Sequence, residues 1–163
     1  MNAVTESAPA GAAPRATPAC RIGVIGVGRI GRMHADLLAR RVRGAAVSAV
    51  YDSHVASARS VGDELRVPVA VSVDELLASP EVDAVAICTS TPTHADLIVQ
   101  AARAGKAIFC EKPVSLALEE VDRALAAVEQ AGVPFQIGFN RRFDPAHEAV
   151  REAVVREIGR AHV

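Results

Sequence analysis

The sequence predicts a doubly wound α/β fold, a parallel sheet covered by helices on both faces. Short apolar runs alternate with helix-period segments along nearly the whole chain, and a glycine-rich turn separates the first run from the first helix. The runs are rich in Val and Ile and mostly apolar on both sides, as doubly covered parallel strands require. Half of the 163 residues are hydrophobic, aromatics make up only 3% and Trp is absent, so the core is packed from Ala, Val, Leu and Ile.

Residues 1–19 hold seven Ala and three Pro without periodicity, and read as a disordered leader rather than a secretory signal. Strands are predicted over 21–25, 45–51, 68–70, 83–88, 107–110 and 135–139. Helices are predicted between them over 30–41, 55–65, 73–78, 92–104 and 116–131. Thr91-Pro92 reads as an N-cap with a first-turn proline, while Gly105 and Gly132 stand where C-terminal caps belong. Leu118, Val121, Leu125 and Val128 keep the 3-4-3 spacing of one helix face. A further helix is predicted from Asp144-Pro145, with Val150, Val154 and Ile158 as its apolar stripe, and residues 159–163 read as a turn into a new strand.

The formal net charge is −1 and no basic block stands out, which argues against a nucleic-acid binder. No stretch of 18 uncharged apolar residues occurs, so no membrane span is predicted. Cys20, Cys88 and Cys110 make an odd count with no metal-ligand spacing; reduced thiols and a cytoplasmic location are the expectation, and no metal site. Cys88 and Cys110, at strand ends, read as small buried hydrophobes.

The chemistry starts at Gly26-Val27-Gly28-Arg29-Ile30-Gly31, a G-x-G-x-x-G between strand and helix. Gly26 allows the tight turn, Gly28 lets the backbone approach a pyrophosphate, and Gly31 allows close helix–strand packing. The helix N-terminus beyond offers free N–H donors, those of Arg29 and Ile30 among them, to an anion. Asp52 follows the second strand, 21 residues past Gly31, near the ~20-residue spacing of a carboxylate that binds ribose hydroxyls. It would repel a 2′-phosphate and no Arg follows it directly, so NAD is favoured over NADP; His54 softens that preference.

Three further segments follow later strands: "CTSTPTHADL", "CEKP" and "GFNRRFDP". With the glycine loop, this series resembles the glucose–fructose oxidoreductase/inositol dehydrogenase/rhizopine-catabolism (Gfo/Idh/MocA) family, from about residue 21 onward. "CEKPVSL…GFNRRFDPAH" looks most like its inositol 2-dehydrogenase branch. The resemblance implies a Rossmann-type dinucleotide-binding domain followed by a larger substrate domain that often builds homo-oligomers. It implies hydride transfer between nicotinamide and a secondary alcohol of a sugar or cyclitol polyol. Carried over by residue, Gly26, Gly28 and Gly31 match the dinucleotide loop and Asp52 the ribose carboxylate. Thr89, Ser90, Thr91, Pro92 and His94 match the segment passing the nicotinamide ribose. Glu111, Lys112 and Pro113 match E-K-P, whose lysine touches the reacting hydroxyl.

Elementary chemistry supports Lys112: an ammonium beside the alcohol oxygen stabilises the alkoxide character that grows as hydride leaves. Glu111 has two readings, holding the lysine chain or the cofactor ribose. Pro113 stiffens the turn, and a cis Lys-Pro bond is open to it. His94 is either a capping and packing residue or a cofactor-side contact. Arg141 and Arg142 point into the cleft or into solvent, and His147 reads as structural.

The domain organisation expected is a leader at 1–19, an NAD-binding domain at 20–140, and a linker helix with the first residues of a truncated substrate domain at 141–163. The proton acceptor, which the resemblance implies is a histidine with a nearby aspartate, belongs to that second domain, and His162 is no substitute for it. Two functional classes follow: the cofactor-binding half of a polyol or sugar dehydrogenase, catalytically incomplete by itself, or a non-catalytic NAD-binding or interaction module.

Overall fold

The computed structural model describes residues 19–157. Five parallel strands, β1 (Cys20–Ile25), β2 (Ala45–Tyr51), β3 (Ala84–Ile87), β4 (Ala107–Cys110) and β5 (Phe135–Ile137), form one sheet in the order β2-β1-β3-β4-β5. Six helices accompany them: α1 (Arg29–Arg40), α2 (Val55–Leu65), α3 (Val73–Ala78), α4 (His94–Arg103), α5 (Leu118–Ala131) and α6 (Pro145–Glu157). The chain leaves β1 in one direction to make β2 and returns to its other side to make β3. That reversal opens a crevice beyond the carboxyl ends of β1 and β3, where open α/β sheets bind ligands.

Both faces of the sheet are covered, as the doubly apolar strands require. Ile25, Val85, Ile87 and Ile108 pack against Leu76 of α3, Ile98 of α4 and Ala124 of α5. On the opposite face Val24, Val50 and Ala86 meet Ala35 of α1 and Ala58 and Val61 of α2. Adjacent residues of one strand thus serve opposite layers. The β1–β2 register shifts at Ile22/Gly23, where Ile22 pairs with Val47 and Gly23 with Ala49.

Several expectations change, and the strand expected over 135–139 ends at Ile137. Residues 68–70 make no strand, only a single bridge between Val50 and Val69 at the sheet edge. Pro68 has no N–H to donate, and Ser72 already caps α3 by accepting from the Glu75 N–H at 3.1 Å, so the extended piece has no length in which to grow. Thr91 is not an N-cap. Residues Thr91–Thr93 form a 3-10 turn preceded by Ser90, and α4 itself starts at His94. In α5, Leu118 and Leu125 are exposed, and the seam runs through Val121, Ala124 and Val128. The helix begins at Leu118 rather than two residues earlier. In α6, Val150 and Val154 of the apolar stripe are exposed.

Asp144 does cap α6, accepting from the Ala146 N–H at 2.9 Å. Gly105 and Gly132 follow α4 and α5 with positive φ, as C-terminal caps do. The leader through residue 18, Ile158 of the α6 stripe and the turn at 159–163 lie outside the described residues. No helix among the described residues is long and apolar enough to cross a membrane.

Candidate functional site

One wall of the crevice is the glycine loop. Gly26 has φ +86°, and a Cβ there would stand 2.8 Å from the backbone nitrogen of Thr89. Gly31 allows no side chain at all, because a Cβ would fall 1.8 Å from the carbonyl oxygen of Gly26. Gly28 is the opposite case: a Cβ would meet nothing within 4 Å, so the loop is bare where it faces the crevice. The first N–H groups of α1, on Arg29, Ile30 and Gly31, have no partner earlier in the helix. No acidic residue occupies that first turn, so an anion meets donors and a positive dipole end.

Asp52 is held beside this loop. Its Oδ2 accepts from the Val27 N–H and its Oδ1 from the His54 N–H, both at 2.8 Å. The His54 ring is spent on capping α2, with Nδ1 accepting from the Ser57 N–H at 3.3 Å.

The opposite wall is the segment after β3. The Thr93 hydroxyl donates to the Ser90 carbonyl at 2.9 Å and lies 2.7 Å from the Thr89 hydroxyl. With the Thr93 proton committed to Ser90, Thr89 is the donor of that pair and keeps its lone pairs for the crevice. His94 is only 1% exposed. Its Nε2 lies 3.0 Å from the Thr89 carbonyl and its Nδ1 2.8 Å from the Pro113 carbonyl. Both ring nitrogens thus face main-chain carbonyls, and since a neutral imidazole carries a single N–H it donates to one of them, the Pro113 contact being the shorter.

The third wall is the E-K-P turn at the end of β4, anchored by the Glu111 N–H donating to the Ile87 carbonyl at 2.9 Å. The Lys112–Pro113 bond is cis. Glu111 Oε1 lies 2.8 Å from His34 Nε2 on α1, and Oε2 accepts from the Lys112 N–H at 3.2 Å. The carboxylate is thus turned to α1 and to the Lys112 main chain rather than to the lysine side chain. Lys112 is exposed and lines a cavity of about 550 Å³ together with Gly28, Arg29, Ile30, Thr89, Ser90, Thr91, Pro92 and His94. A second cavity of about 350 Å³ reaches from Gly28 and Thr89 to Asp52, Val73 and Leu97. The two share Gly28, Cys88, Thr89 and Ser90, so one crevice runs from the Asp52 carboxylate to Lys112.

Burial pushes the Cys88 and Cys110 thiols up to about 12, helped by the negative charge of Glu111. They are small hydrophobes at this site, not nucleophiles. Arg141 and Arg142 are exposed, Arg141 facing Asp144 at 3.4 Å, and His147 faces the same carboxylate at 3.4 Å.

The sequence profile of the Gfo/Idh/MocA oxidoreductase family, described as an NAD-binding Rossmann fold, matches residues 20–139. The chain belongs to this family. Among Gfo/Idh/MocA relatives, the inositol 2-dehydrogenase of Rhizobium meliloti is 45% identical over 138 residues, which are 82% of this chain and 40% of that protein. The myo-inositol 2-dehydrogenase of Thermotoga maritima is 43% identical over 145 residues, 88% of this chain and 43% of its own. The crystal structure of scyllo-inositol dehydrogenase from Lactobacillus casei, with bound NAD(H) and scyllo-inositol, superposes with a TM-score of 0.80. The two are 31% identical, over 85% of this chain and 41% of that one. The chain thus spans about two fifths of the length of the relatives it matches.

His34 was not legible as a site residue. The one available signal is its place three residues past Gly31, next to buried Ala35 on α1. Thr93, Val73 and Leu97 were also missed, because a hydroxyl or an aliphatic side chain in a helix start reads as ordinary capping or core.

Proposed function

We propose that this chain is the cofactor-binding half of an NAD-dependent dehydrogenase that moves hydride between nicotinamide and a secondary alcohol of an inositol-like polyol. The observation that carries the reading is the single crevice joining the bare glycine loop, the Asp52 carboxylate and Lys112. The open space over Gly28 fits a dinucleotide, since a Cβ there would intrude only on the crevice. Support for the polyol comes from the relatives, which are named inositol dehydrogenases.

In this reading Gly26 and Gly28 shape the loop, and the N–H groups of Arg29, Ile30 and Gly31 bind the pyrophosphate. Asp52 accepts from ribose hydroxyls, while Thr89, Ser90, Thr91 and Pro92 line the nicotinamide side. Bound NAD supplies the hydride acceptor. Lys112 donates a hydrogen bond to the reacting oxygen and stabilises negative charge as it grows there. Glu111 sets the turn that carries Lys112, and a homo-oligomer is compatible with the full-length form.

The test is titration of the chain with NADH and NADPH by fluorescence, then with scyllo- and myo-inositol in the presence of cofactor. We expect NADH to bind more tightly than NADPH, and Lys112→Ala to abolish any inositol-dependent change while leaving NADH affinity within about threefold. Absence of NADH binding, or inositol effects that survive Lys112→Ala, would overturn the reading.

A further inference from the structure

We propose that His34 and His94 are positioning residues that suspend the Lys112 turn between the two helices bordering the cofactor crevice. The proposal rests on the catalytic reading of Lys112 given above, and adds what sets the place of that residue.

The turn is gripped on both sides of Lys112. One residue before it, the Glu111 carboxylate reaches across to His34 Nε2 at 2.8 Å on α1. One residue after it, the Pro113 carbonyl lies 2.8 Å from His94 Nδ1 on α4. The Glu111–His34 pair is largely sheltered, with about a fifth of each side chain exposed. Phe109 and the His34 ring meet in an edge-type contact, with centroids 5.2 Å apart. Gly138 closes the other side of Glu111, for a Cβ there would stand 3.3 Å from its carboxylate. The remaining carboxylate oxygen accepts from the Lys112 N–H itself. A change at His34 is therefore passed to the Lys112 backbone through one side chain.

Each histidine also belongs to a cofactor wall. His34 lies on the helix whose first N–H groups face the pyrophosphate position, and His94 Nε2 reaches the Thr89 carbonyl at 3.0 Å. Displacement of either wall moves a histidine, and with it one end of the lysine turn. Interactions of this kind pre-organise a reacting group within a fraction of an ångström.

The test reads amide hydrogen exchange across the 163-residue chain, with acetylation of Lys112 by acetic anhydride measured with and without NADH. In His34→Leu, exchange over residues 111–115 should rise about tenfold, the expected weight of a hydrogen bond to a carboxylate. NADH should no longer shield Lys112 from acetylation. His34→Gln, which carries an N–H donor to about the reach of Nε2, should restore both. The His94 variants separate positioning from mere packing. His94→Asn keeps a donor at the Nδ1 position, so it should hold residues 111–115. His94→Gln moves the donor to the Nε2 position, towards the Thr89 carbonyl, and should loosen them. Wild-type exchange in His34→Leu, failure of Gln to restore it, or equal loosening of residues 111–115 in both His94 variants would overturn the proposal. Failure of the wild-type chain to bind NADH would instead overturn the dehydrogenase reading, while the exchange data still decide the clamp.

Discussion

The Val27 N–H donates to Asp52 Oδ2 across 2.8 Å, tying the turn of the glycine loop to the residue that ends the β2 excursion. The other oxygen of the same carboxylate accepts from His54 at 2.8 Å. A side chain assigned to a ribose thus also fastens the loop over which the pyrophosphate would lie. In the proposed function two roles would depend on one carboxylate: ordering the loop, and excluding a 2′-phosphate by its charge.

Replacing Asp52 with Ala should therefore weaken NADH binding and narrow the preference over NADPH together. A lost hydrogen bond to a charged group is worth roughly 1.5–3 kcal/mol, so the NADH dissociation constant should rise about tenfold or more. Fluorescence titration with both cofactors checks this; an unchanged NADH to NADPH ratio would deny Asp52 its role in discrimination.

Gly28 and Gly31 should respond oppositely to the same added methyl group. At Gly31 the new Cβ would fall 1.8 Å from a main-chain oxygen that cannot swing aside. Gly31→Ala should cost at least about 3 kcal/mol of stability, the upper end for overpacking. At Gly28 the Cβ meets nothing, and φ −63° suits alanine. Gly28→Ala should change stability by less than about 0.5 kcal/mol yet weaken NADH binding about tenfold. Urea melts beside cofactor titrations separate the two, and a Gly28→Ala chain that binds NADH normally would remove the pyrophosphate from this loop.

This contrast also marks how much of the site was legible. Gly26, Gly28, Gly31 and Asp52 stand at fixed spacings because a tight turn, a backbone approach and a ribose contact demand those residue types, so the sequence announces them. The strand over 107–110 and the helices over 55–65 and 73–78 were equally plain, being bounded by strong punctuation. Residues 68–70 misled because three extended apolar residues carry no information about how many partners they find. Leu125 misled because Leu outweighs Ala in any periodicity, whereas the residue buried at that turn of the helix is Ala124. His34 was invisible for a different reason: its partner, Glu111, is 77 residues away, and only the fold brings them together.

The cysteines should divide cleanly. Cys88 and Cys110 are pushed up to about 12 by burial and by the charge of Glu111, whereas Cys20 is exposed. At pH 8 a thiol of that kind holds roughly one thiolate in ten thousand, and burial also denies access to reagent. Native chain treated with iodoacetamide should be alkylated at Cys20 alone, and denatured chain at all three. Rapid alkylation of Cys88 in the native chain would mean that the crevice is open far deeper than described.

At the far end of the sheet from the crevice, Asp83 should govern acid stability without touching the site. Arg21 donates to it from Nε at 2.9 Å, from Nη2 at 2.7 Å and from its backbone N–H at 2.9 Å. Those hydrogen bonds, and then the guanidinium charge, hold the Asp83 carboxyl well below the usual carboxylate range. A depressed carboxyl contributes stability that is present above its unfolded value of about 3.9 and is lost as pH falls through its folded value. Wild type should accordingly lose urea resistance as pH drops below about 4, and Asp83→Asn should lie below wild type at pH 7 and converge with it in acid. The pair is solvent-exposed, so added salt should shrink the difference. NADH affinity should be the same in both proteins, because Asp83 precedes β3 while the cofactor walls follow it. A gap between the two proteins that widens towards acid would reverse the sign of this linkage and remove the Arg21–Asp83 pair as its cause.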